Sequence, residues 1–565
     1  MSTDKKAVKL LADICKRKGI NKVVFSPGSR SAPLVIAFSS LPDIECIVIP
    51  DERVAGYFAL GMAQQLKQTI AIVCTSGTAV LNLGPAITEA FYQQIPLLIL
   101  TADRPLGDAE KGENQSINQA FVFEKLTKNS FDINGDETSR DGLNKIAEII
   151  TGAIHNTQNN GVGPVHVNIR LSEPLYNQSD ELAIEFNIKN EKQQAVPNDA
   201  GIKRLNEQLT STKKKLIIVG MRAPDVEFSK KLRLLSERKD TVVLAETLSN
   251  TVFNGSISNY DACLELINEK EANEFTPDIV ITLGNQIISK RIRRFLKKDK
   301  PVSHWDISPH NVARHYDVFD IGVQKENITE SEALDCLLNS NPMDDSFYNS
   351  QWKGLHKKAI ELTGKYLAQT EYSDIKVFET LVDSFPKGAN IQYGNSTPVR
   401  YSNFFEHSND IITNSNRGTS GIDGCVSTAA GAAYVNEKLT ICIVGDISFF
   451  YDSNALFNNY LSPNFRIIVI NNSGGNIFRL IDVPAKVNAF EKFFEMRHNL
   501  TAKYLAAMYD IPYYFCETEG SLNEILPDFY KPHNGKPAIL EIKTNGELSA
   551  KIYKEYFSFL KNKIL

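Results

Sequence analysis

Short apolar runs alternate with amphipathic stretches from one end of the chain to the other. The runs "KVVFSPG", "IECIVIP", "TIAIVCTSG" and "IPLLILTAD" are apolar at most positions. A run of strand length without a polar face predicts a strand buried on both sides of a parallel sheet. Helical stretches separate these runs, among them "AGYFALGMAQQL", which follows the strand "CIVIP" and the acids Asp51 and Glu52. Strand and helix in alternation predict an α/β fold, with parallel sheets flanked by helices. The opening "MSTDKKAVKLLADICKRKGI" reads as an amphipathic helix.

Two polar stretches divide the chain. "NIKNEKQQAVPNDAG" (187–201) reads as a linker. A second strand series follows, "KLIIVG", "DTVVLAE", "DIVITLG" and "PVSHWDIS", and the polar "NSNPMDDSFYNSQ" closes it near residue 345. Three domains are therefore expected, over residues 1–186, 187–345 and 346–565. The third repeats the first. "TIAIVCTSG" pairs with "TICIVGDIS", "ALGMA" with "AAGAA" and "PLLILTAD" with "RIIVINNS", all at an offset of about 370 residues. "PVHVNIR" pairs with "PAILEIK" at a slightly larger offset, and "SPGSRSAP" more loosely with "YGNSTPV". A nearly constant offset over several elements predicts an internal duplication. The copies differ in complementary ways: Glu52 falls opposite Ile422, Asp446 opposite Ser76 and Asn472 opposite Ala102. That divergence is expected if one ligand lies between the copies and each holds one end.

Composition narrows the class. At 565 residues the chain exceeds a single core. Its 42% apolar content and mean hydropathy of -0.23 are those of a soluble globular protein. A net charge of -5 gives no general attraction to nucleic acid or an anionic membrane. The longest apolar runs are strand-sized, short of a membrane span, and the N-terminus lacks the apolar core of a signal peptide. The eight cysteines are scattered, without a C-x-x-C or a His/Cys cluster. Cys74 and Cys442 sit inside apolar strands, as core residues do. A reduced, cytoplasmic protein is expected.

The candidate chemistry gathers in the third domain. Asp446 follows the strand "TICIVG" and Asn472 the strand "RIIVIN". Neighbouring strand ends of a parallel sheet open on one crevice. A carboxylate, an amide oxygen and a carbonyl of the Gly474–Gly475 turn make a hard oxygen set suited to Mg²⁺. A helix expected to begin near Asp452–Ser453–Asn454 would aim its N–H groups at the same anion. Asp or Asn alone reads as a turn former. Placed together after two strands, they point to a metal–diphosphate site.

G-D followed by N-N after two strands resembles the thiamine diphosphate enzymes, although Ile447 stands where the usual G-D-G has glycine. A narrower resemblance rests on "SPGSRSAPL", "DERVAGYFALGMA", "TSGTAVLNLGPAITEA", "LTADRP", "ENQSI", "SKRIRRF", "GNSTPVR", "SNRGTSGIDGCVSTAAG" and "NNSGGNIFRLI". Together they resemble the 2-succinyl-5-enolpyruvyl-6-hydroxy-3-cyclohexene-1-carboxylate synthase family of menaquinone biosynthesis, over nearly the whole chain. The resemblance implies a pyrimidine-binding first domain and a diphosphate- and metal-binding third domain. The cofactors it implies are thiamine diphosphate and Mg²⁺ or Mn²⁺, held between subunits of at least a dimer. The implied reaction decarboxylates 2-oxoglutarate and adds the resulting succinyl carbanion to isochorismate.

The resemblance also assigns residues. Glu52, Gln115 and Ile422 become catalytic, with Glu52 at the pyrimidine nitrogen and Ile422 wedged beneath the cofactor. Gly77, Ser448, Ile477 and Phe478 join Glu52, Ile422, Asp446 and Asn472 in holding the cofactor. The metal falls to Asp446, Asn472 and Gly474. Substrate binding falls to Ser29, Arg30, Arg104, Asn114, Gln115, Lys290, Arg291, Ser396, Arg400, Arg417, Phe478 and Ile481. Each substrate carries two carboxylates, and arginine grips carboxylates bidentately. By residue type alone, Arg293 and Arg294 are expected to be solvated and Asp51 to cap its helix. An enzyme of the acetolactate synthase kind is the alternative. It is weakened because "LIIVGMRAPD" has no G-x-G-x-x-G. A cofactor-binding protein without catalysis is the third reading, and joint retention of Glu52, Asp446 and Asn472 argues against it.

Overall fold

A computed structural model describes residues 1–159, 161–180, 198–307, 316–324, 326–480 and 488–563. Three parallel sheets organise them. The first contains β1 (Lys22–Phe25), β2 (Glu45–Val48), β3 (Ile70–Cys74), β4 (Leu97–Asp103), β5 (Ser130–Asn134) and β6 (Val165–Arg170). Their order is β2-β1-β3-β4-β6-β5. The middle sheet contains β7 (Lys215–Val219), β8 (Thr241–Ala245), β9 (Ile279–Leu283), β10 (Ser303–Ile307) and β11 (Val323–Gln324), in the order β8-β7-β9-β10-β11. The last contains β12 (Asn390–Tyr393), β13 (Ile412–Ser415), β14 (Thr440–Gly445), β15 (Phe465–Asn471), β16 (Tyr513–Cys516) and β17 (Ala538–Lys543). Its order, β13-β12-β14-β15-β17-β16, repeats the first strand for strand. The all-apolar runs form the central strands. β3, β4 and β15 are buried at every position, as strands covered on both faces must be.

Register repeats as well. Leu98 faces Val165 in the first sheet, and Arg466 faces Ala538 in the last. One detail corrects the sequence pairing. Ile70 faces Leu97, whereas Thr440 faces Phe465, so the connection before β15 is the shorter one. Register therefore sets Asn471 opposite Asp103 and Asn472 opposite Arg104, not Ala102. A fixed offset overlooked the shortened connection.

Five helices carry the later argument: α1 (Glu52–Leu66), α2 (Gly84–Gln93), α3 (Lys290–Lys298), α4 (Cys425–Tyr434) and α5 (Asp446–Tyr451). Asp51 caps α1 by accepting the N–H groups of Arg53 and Val54, the role its residue type suggests. α1 and α4 meet backbone to backbone. A Cβ on Gly61 would lie 1.9 Å from the Thr428 carbonyl oxygen, and one on Gly431 1.9 Å from that of Phe58. The contact is the same seen from either helix, and only glycine permits it. One apolar core runs through it, joining Ile72 and Ile99 of the first sheet to Val444 and Val469 of the last.

Most of the expected linker lies outside the described residues; the helix Asp199–Ser211 begins within its end. Past the second polar stretch, the helix Tyr348–Leu367 packs back on the middle unit. Asn349 Nδ2 donates to the Ser236 carbonyl at 3.1 Å, and Trp352 meets Phe275 edge-on at 5.7 Å. Cys74 and Cys442 are fully buried. Among the described residues, no helix is long and apolar enough to cross a membrane.

Candidate active site

The first copy presents a carboxylate and a folded-back loop. β2 runs into α1 so that Glu52 is the first helical residue, just after its cap. Glu52 Oε2 accepts Asn82 Nδ2 at 3.2 Å. Burial pushes the Cys74 thiol up, and the charge of Glu52 adds to that rise, which sets the carboxylate near the end of β3. Just beyond β3, Gly77 takes a φ of 81° that disfavours any side chain. Its N–H donates to Gln119 Oε1 at 3.1 Å. Ser76 Oγ donates to the Gln115 carbonyl at 2.8 Å, so the loop returns over the strand end and brings Gly77 beside Gln115. The side chains of Asn114 and Gln115 are exposed there.

The last copy presents oxygen ligands. The helix after β14 begins at Asp446, not near Asp452 as the sequence suggested. Ser453–Leu456 is only a 3₁₀ turn. Asp452 points inward instead, and its carboxylate accepts Ser427 N at 2.7 Å and Ser427 Oγ at 2.6 Å in α4. Burial raises its pKa to about 7. Asp446 is buried; its Oδ1 accepts Ile447 N at 2.7 Å and its Oδ2 accepts Gly474 N at 2.9 Å. His498 Nε2 stands 3.3 Å from the same Oδ2. Since His498 Nδ1 accepts Leu500 N at 3.1 Å, the ring proton belongs on Nε2, which makes no hydrogen bond to the acid.

β15 leads into Asn472. Its Nδ2 donates to Asp374 Oδ2 at 2.9 Å, while its Oδ1 is buried without a partner. Leaving such an acceptor unmet costs about 1–3 kcal/mol. The Gly474 carbonyl accepts Asn476 N at 2.9 Å and keeps a second lone pair. Asp446, the unmet oxygen of Asn472 and this carbonyl are all hard oxygen donors, so the residues present fit a divalent cation. Among the described residues, no group of three or more His, Cys, Asp or Glu side chains could hold one. A metal here would therefore rely on amide and carbonyl oxygens beside a single acid. Ser448 Oγ donates to the Ile422 carbonyl at 2.9 Å, which fixes the half-buried Ile422 beside α5. Ile477 and Phe478 open the short helix Ile477–Leu480, where Phe478 packs edge-on against Phe494 at 6.0 Å. Ile481 lies outside the described residues.

A cationic cavity of about 280 Å³ joins the middle unit to the last. Lys290, Arg291, Arg294 and Arg400 line it, together with Ile477 and Leu480 of the short helix. Lys290 and Arg291 open α3 rather than lying in a loop, because Ser289 caps that helix through Ile292 N at 3.1 Å. The acids at this cavity are already engaged. Glu246 accepts Ile288 N and Ser289 N at 2.8 Å and Tyr260 OH at 2.7 Å, and Asp261 accepts Ser289 Oγ. Arg291 pairs with Glu265 at 2.9 Å and lies 3.5 Å above the Phe557 ring. Burial lowers the Lys290 ammonium, and Arg400, Arg293 and Arg417 lower it further. Burial and then Arg400 bring the buried Arg417 down to about 10. Cations that depress one another in this way favour an incoming anion.

Arg417 belongs to a loop where all three units meet. Glu89 of α2 accepts Gly418 N at 2.6 Å, Thr419 N at 2.7 Å and Thr419 Oγ1 at 2.8 Å. From the middle unit, Gln286 Nε2 donates to the Gly418 carbonyl at 2.8 Å. Arg417 Nη1 itself donates to Asn395 Oδ1 at 3.0 Å.

The chain thus brings Lys290, Arg291 and Arg400 together with Ile477, Asp446 with Gly474, and Gly77 with Gln115. It does not bring every predicted residue to one place. Arg30 is buried against the Leu171 carbonyl, with Nη1 at 3.0 Å, and Glu173 stands 3.2 Å from its Nη2; Ser29 beside it is exposed. Arg104 keeps a buried Nε without a partner. Ser396 has a φ of 76°, and its carbonyl accepts Arg400 Nη1. Among the described residues, no hydrogen bond or ion pair within the chain joins Glu52 to Asp446 or Asn472. Arg293 is corrected: it is half-buried and donates to the Ile287 carbonyl. Arg294 is exposed as expected, yet it borders the cavity. Sequence reasoning missed Glu89, Gln119, Asp374 and His498. Each is a polar residue whose importance lies in its burial or its partner, and neither leaves a periodic mark.

Residues 5–122 match the family described as "Thiamine pyrophosphate enzyme, N-terminal TPP binding domain". Residues 186–391 match the one described as "Middle domain of thiamine pyrophosphate". Relatives cover the chain end to end. A Flavobacterium johnsoniae protein named 2-succinyl-5-enolpyruvyl-6-hydroxy-3-cyclohexene-1-carboxylate synthase is 39% identical over 558 residues, 97% of this chain and 98% of its own. A Christiangramia forsetii protein of the same name is 36% identical, again over 97% and 98%. One from Bacteroides thetaiotaomicron is 34% identical over 100% of both chains.

Proposed function

Because the chain belongs to the 2-succinyl-5-enolpyruvyl-6-hydroxy-3-cyclohexene-1-carboxylate synthase family, we propose that it forms that product and carbon dioxide from 2-oxoglutarate and isochorismate. The reaction belongs to menaquinone biosynthesis. The observation that carries this reading is the cationic cavity, in which Lys290, Arg291 and Arg400 share walls with Ile477, two residues past the Gly474–Gly475 turn. Two dicarboxylic substrates call for such a concentration of fixed positive charge.

Thiamine diphosphate, when bound, supplies the electron sink that decarboxylation requires. The chain's own residues bind, orient and protect. Asp446, Asn472 and Gly474 would hold Mg²⁺ or Mn²⁺, and Gly77, Ile422, Ser448, Ile477 and Phe478 would line the coenzyme. Glu52 would keep a proton between its carboxylate and the pyrimidine ring nitrogen. Lys290, Arg291, Arg400 and Arg417 would hold substrate carboxylates, joined by Arg30 and Arg104. Ser29, Asn114, Gln115 and Ser396 would add neutral hydrogen bonds, and Gln115 would orient a water or a substrate hydroxyl. Phe478 would keep water from the reacting carbon.

A complete site needs at least a dimer in this reading. Exposed apolar side chains flank both half-sites, Val48 and Leu81 near Glu52, Tyr451 and Phe457 beyond Asp446. Such surface supports self-association. The limits 1–186, 187–345 and 346–565 and a cytoplasmic location belong to the same proposal; the mostly buried, unpaired cysteines support a reducing compartment.

Purified protein with Mg²⁺ and thiamine diphosphate tests the reading. Supplied with 2-oxoglutarate and isochorismate, it is expected to release carbon dioxide and form the succinyl-cyclohexene product. Supplied with pyruvate alone, it is expected to form little acetolactate. The reverse preference overturns the assignment.

A further inference from the structure

We propose that Asp374 is the positioning residue that turns the amide oxygen of Asn472 toward the metal. The inference rests on reading Asp446, Asn472 and Gly474 as the metal site. Asp374 is the first residue of the helix Asp374–Ser384 and is fully buried. It lies before the last sheet begins, far in sequence from the residue it serves. Its two oxygens divide the work. Oδ2 accepts Asn472 Nδ2 at 2.9 Å, and Oδ1 accepts Thr544 Oγ1 at 2.6 Å. Its backbone N–H donates to Ser549 Oγ at 3.0 Å. Thr544 is anchored in turn, since its N–H donates to the Asn471 carbonyl at 3.1 Å. The carboxylate is thus braced from the end of β17, the strand beside β15.

The chemistry of the amide makes that bracing matter. An asparagine side chain has a donor face and an acceptor face, and rotation about its last bond exchanges them. A hard cation takes only the oxygen. An ionised carboxylate has acceptors only, so in that form Asp374 can hold Asn472 only by its NH₂ group. The opposite face is then the oxygen, and that oxygen is the buried atom with no partner. Asp374 therefore chooses one of two amide orientations, the one that leaves the oxygen as the unpartnered acceptor. Partners of this kind orient metal ligands without touching the metal.

Asp374→Asn tests this. The new amide can offer either face to Asn472, so the choice is lost at constant size. Coenzyme binding to metal-free protein is measured by calorimetry at stepped Mg²⁺ concentrations. The Mg²⁺ needed for half-maximal thiamine diphosphate binding is expected to rise about tenfold. An unchanged Mg²⁺ requirement in the folded variant overturns the proposal. If that variant does not fold, Thr544→Val serves, since it loosens the carboxylate while keeping its charge. A rise of about threefold is expected for it, and no rise overturns the proposal. Asp446→Ala separates the two levels. Normal Mg²⁺-dependent binding in that variant ends the metal-site reading itself. Lost binding there, with no change in the Asp374 or Thr544 variants, ends only the role of Asp374.

Discussion

The two outer sheets share strand order and register, yet they carry opposite polar equipment. In the first, the acid is on β4 and the amide on β6: Asn168 Nδ2 donates to Asp103 Oδ2 at 2.9 Å. In the last, the same two places hold the amide on β15 and the acid on β17, as Asn471 donates to Glu541. The pairing survived while its partners changed ends. A second exchange lies just past β3 and β14. Asn82 donates to Glu52 at the start of α1, whereas Asp452 accepts from Ser427 in the first turn of α4. Beyond the strand ends the likeness stops. Ser76 stands where the other copy has Asp446, and Arg104 where it has Asn472. A buried hydrogen bond must be met by some partner, so the core conserves pairs. The crevice is free to differentiate, and one scaffold yields a half that presents Glu52 and a half that presents the oxygen donors of Asp446, Asn472 and Gly474.

The largest test of that division is Glu52→Gln. Turnover is expected to fall by about 10²–10⁴-fold while Mg²⁺-dependent coenzyme binding, followed by calorimetry, persists. Ordinary turnover in this variant would erase the functional contrast between the copies. Next comes the shared crossing. Gly61→Val drives a side chain into the Thr428 carbonyl and should cost about 1–3 kcal/mol in thermal unfolding. Gly431→Val should cost a similar amount, because the contact is symmetric. Widely different losses would show that the likeness of the copies ends short of the helices.

The smallest effect concerns Asp452. Burial raises its pKa from the ordinary carboxylate value to about 7, so the folded chain favours the neutral form. Its contribution to stability is complete below the ordinary value and is lost as pH rises through about 7. Asp452→Asn removes that dependence. Between pH 5 and pH 8 the native protein is expected to lose about 2 °C of Tm relative to the variant. Parallel curves would place Asp452 in a wetter setting than its burial implies.

The strands, their parallel arrangement and the duplication were legible because apolar runs report burial directly. Glu52, Asp446 and Asn472 were legible because each stands at a strand end, where polar residues need a reason. Asp374, Glu89 and Gln119 were not, since each works through a residue distant in sequence. The helix start was misplaced at Asp452 because an acid followed by serine imitates a cap; only its burial against α4 reveals the other use. Arg293 was misjudged within "SKRIRR" because a run of charges looks uniformly wet, while helical geometry turns some of its members inward.

The crossing at Gly61 and Gly431 sets how the halves of one chain respond to force. No side chain lies between the two backbones, so none can change rotamer to absorb a push. A load arriving on either sheet passes to the other as through a welded joint. The paired halves therefore tilt together, and any yielding must come from the loops at their rim.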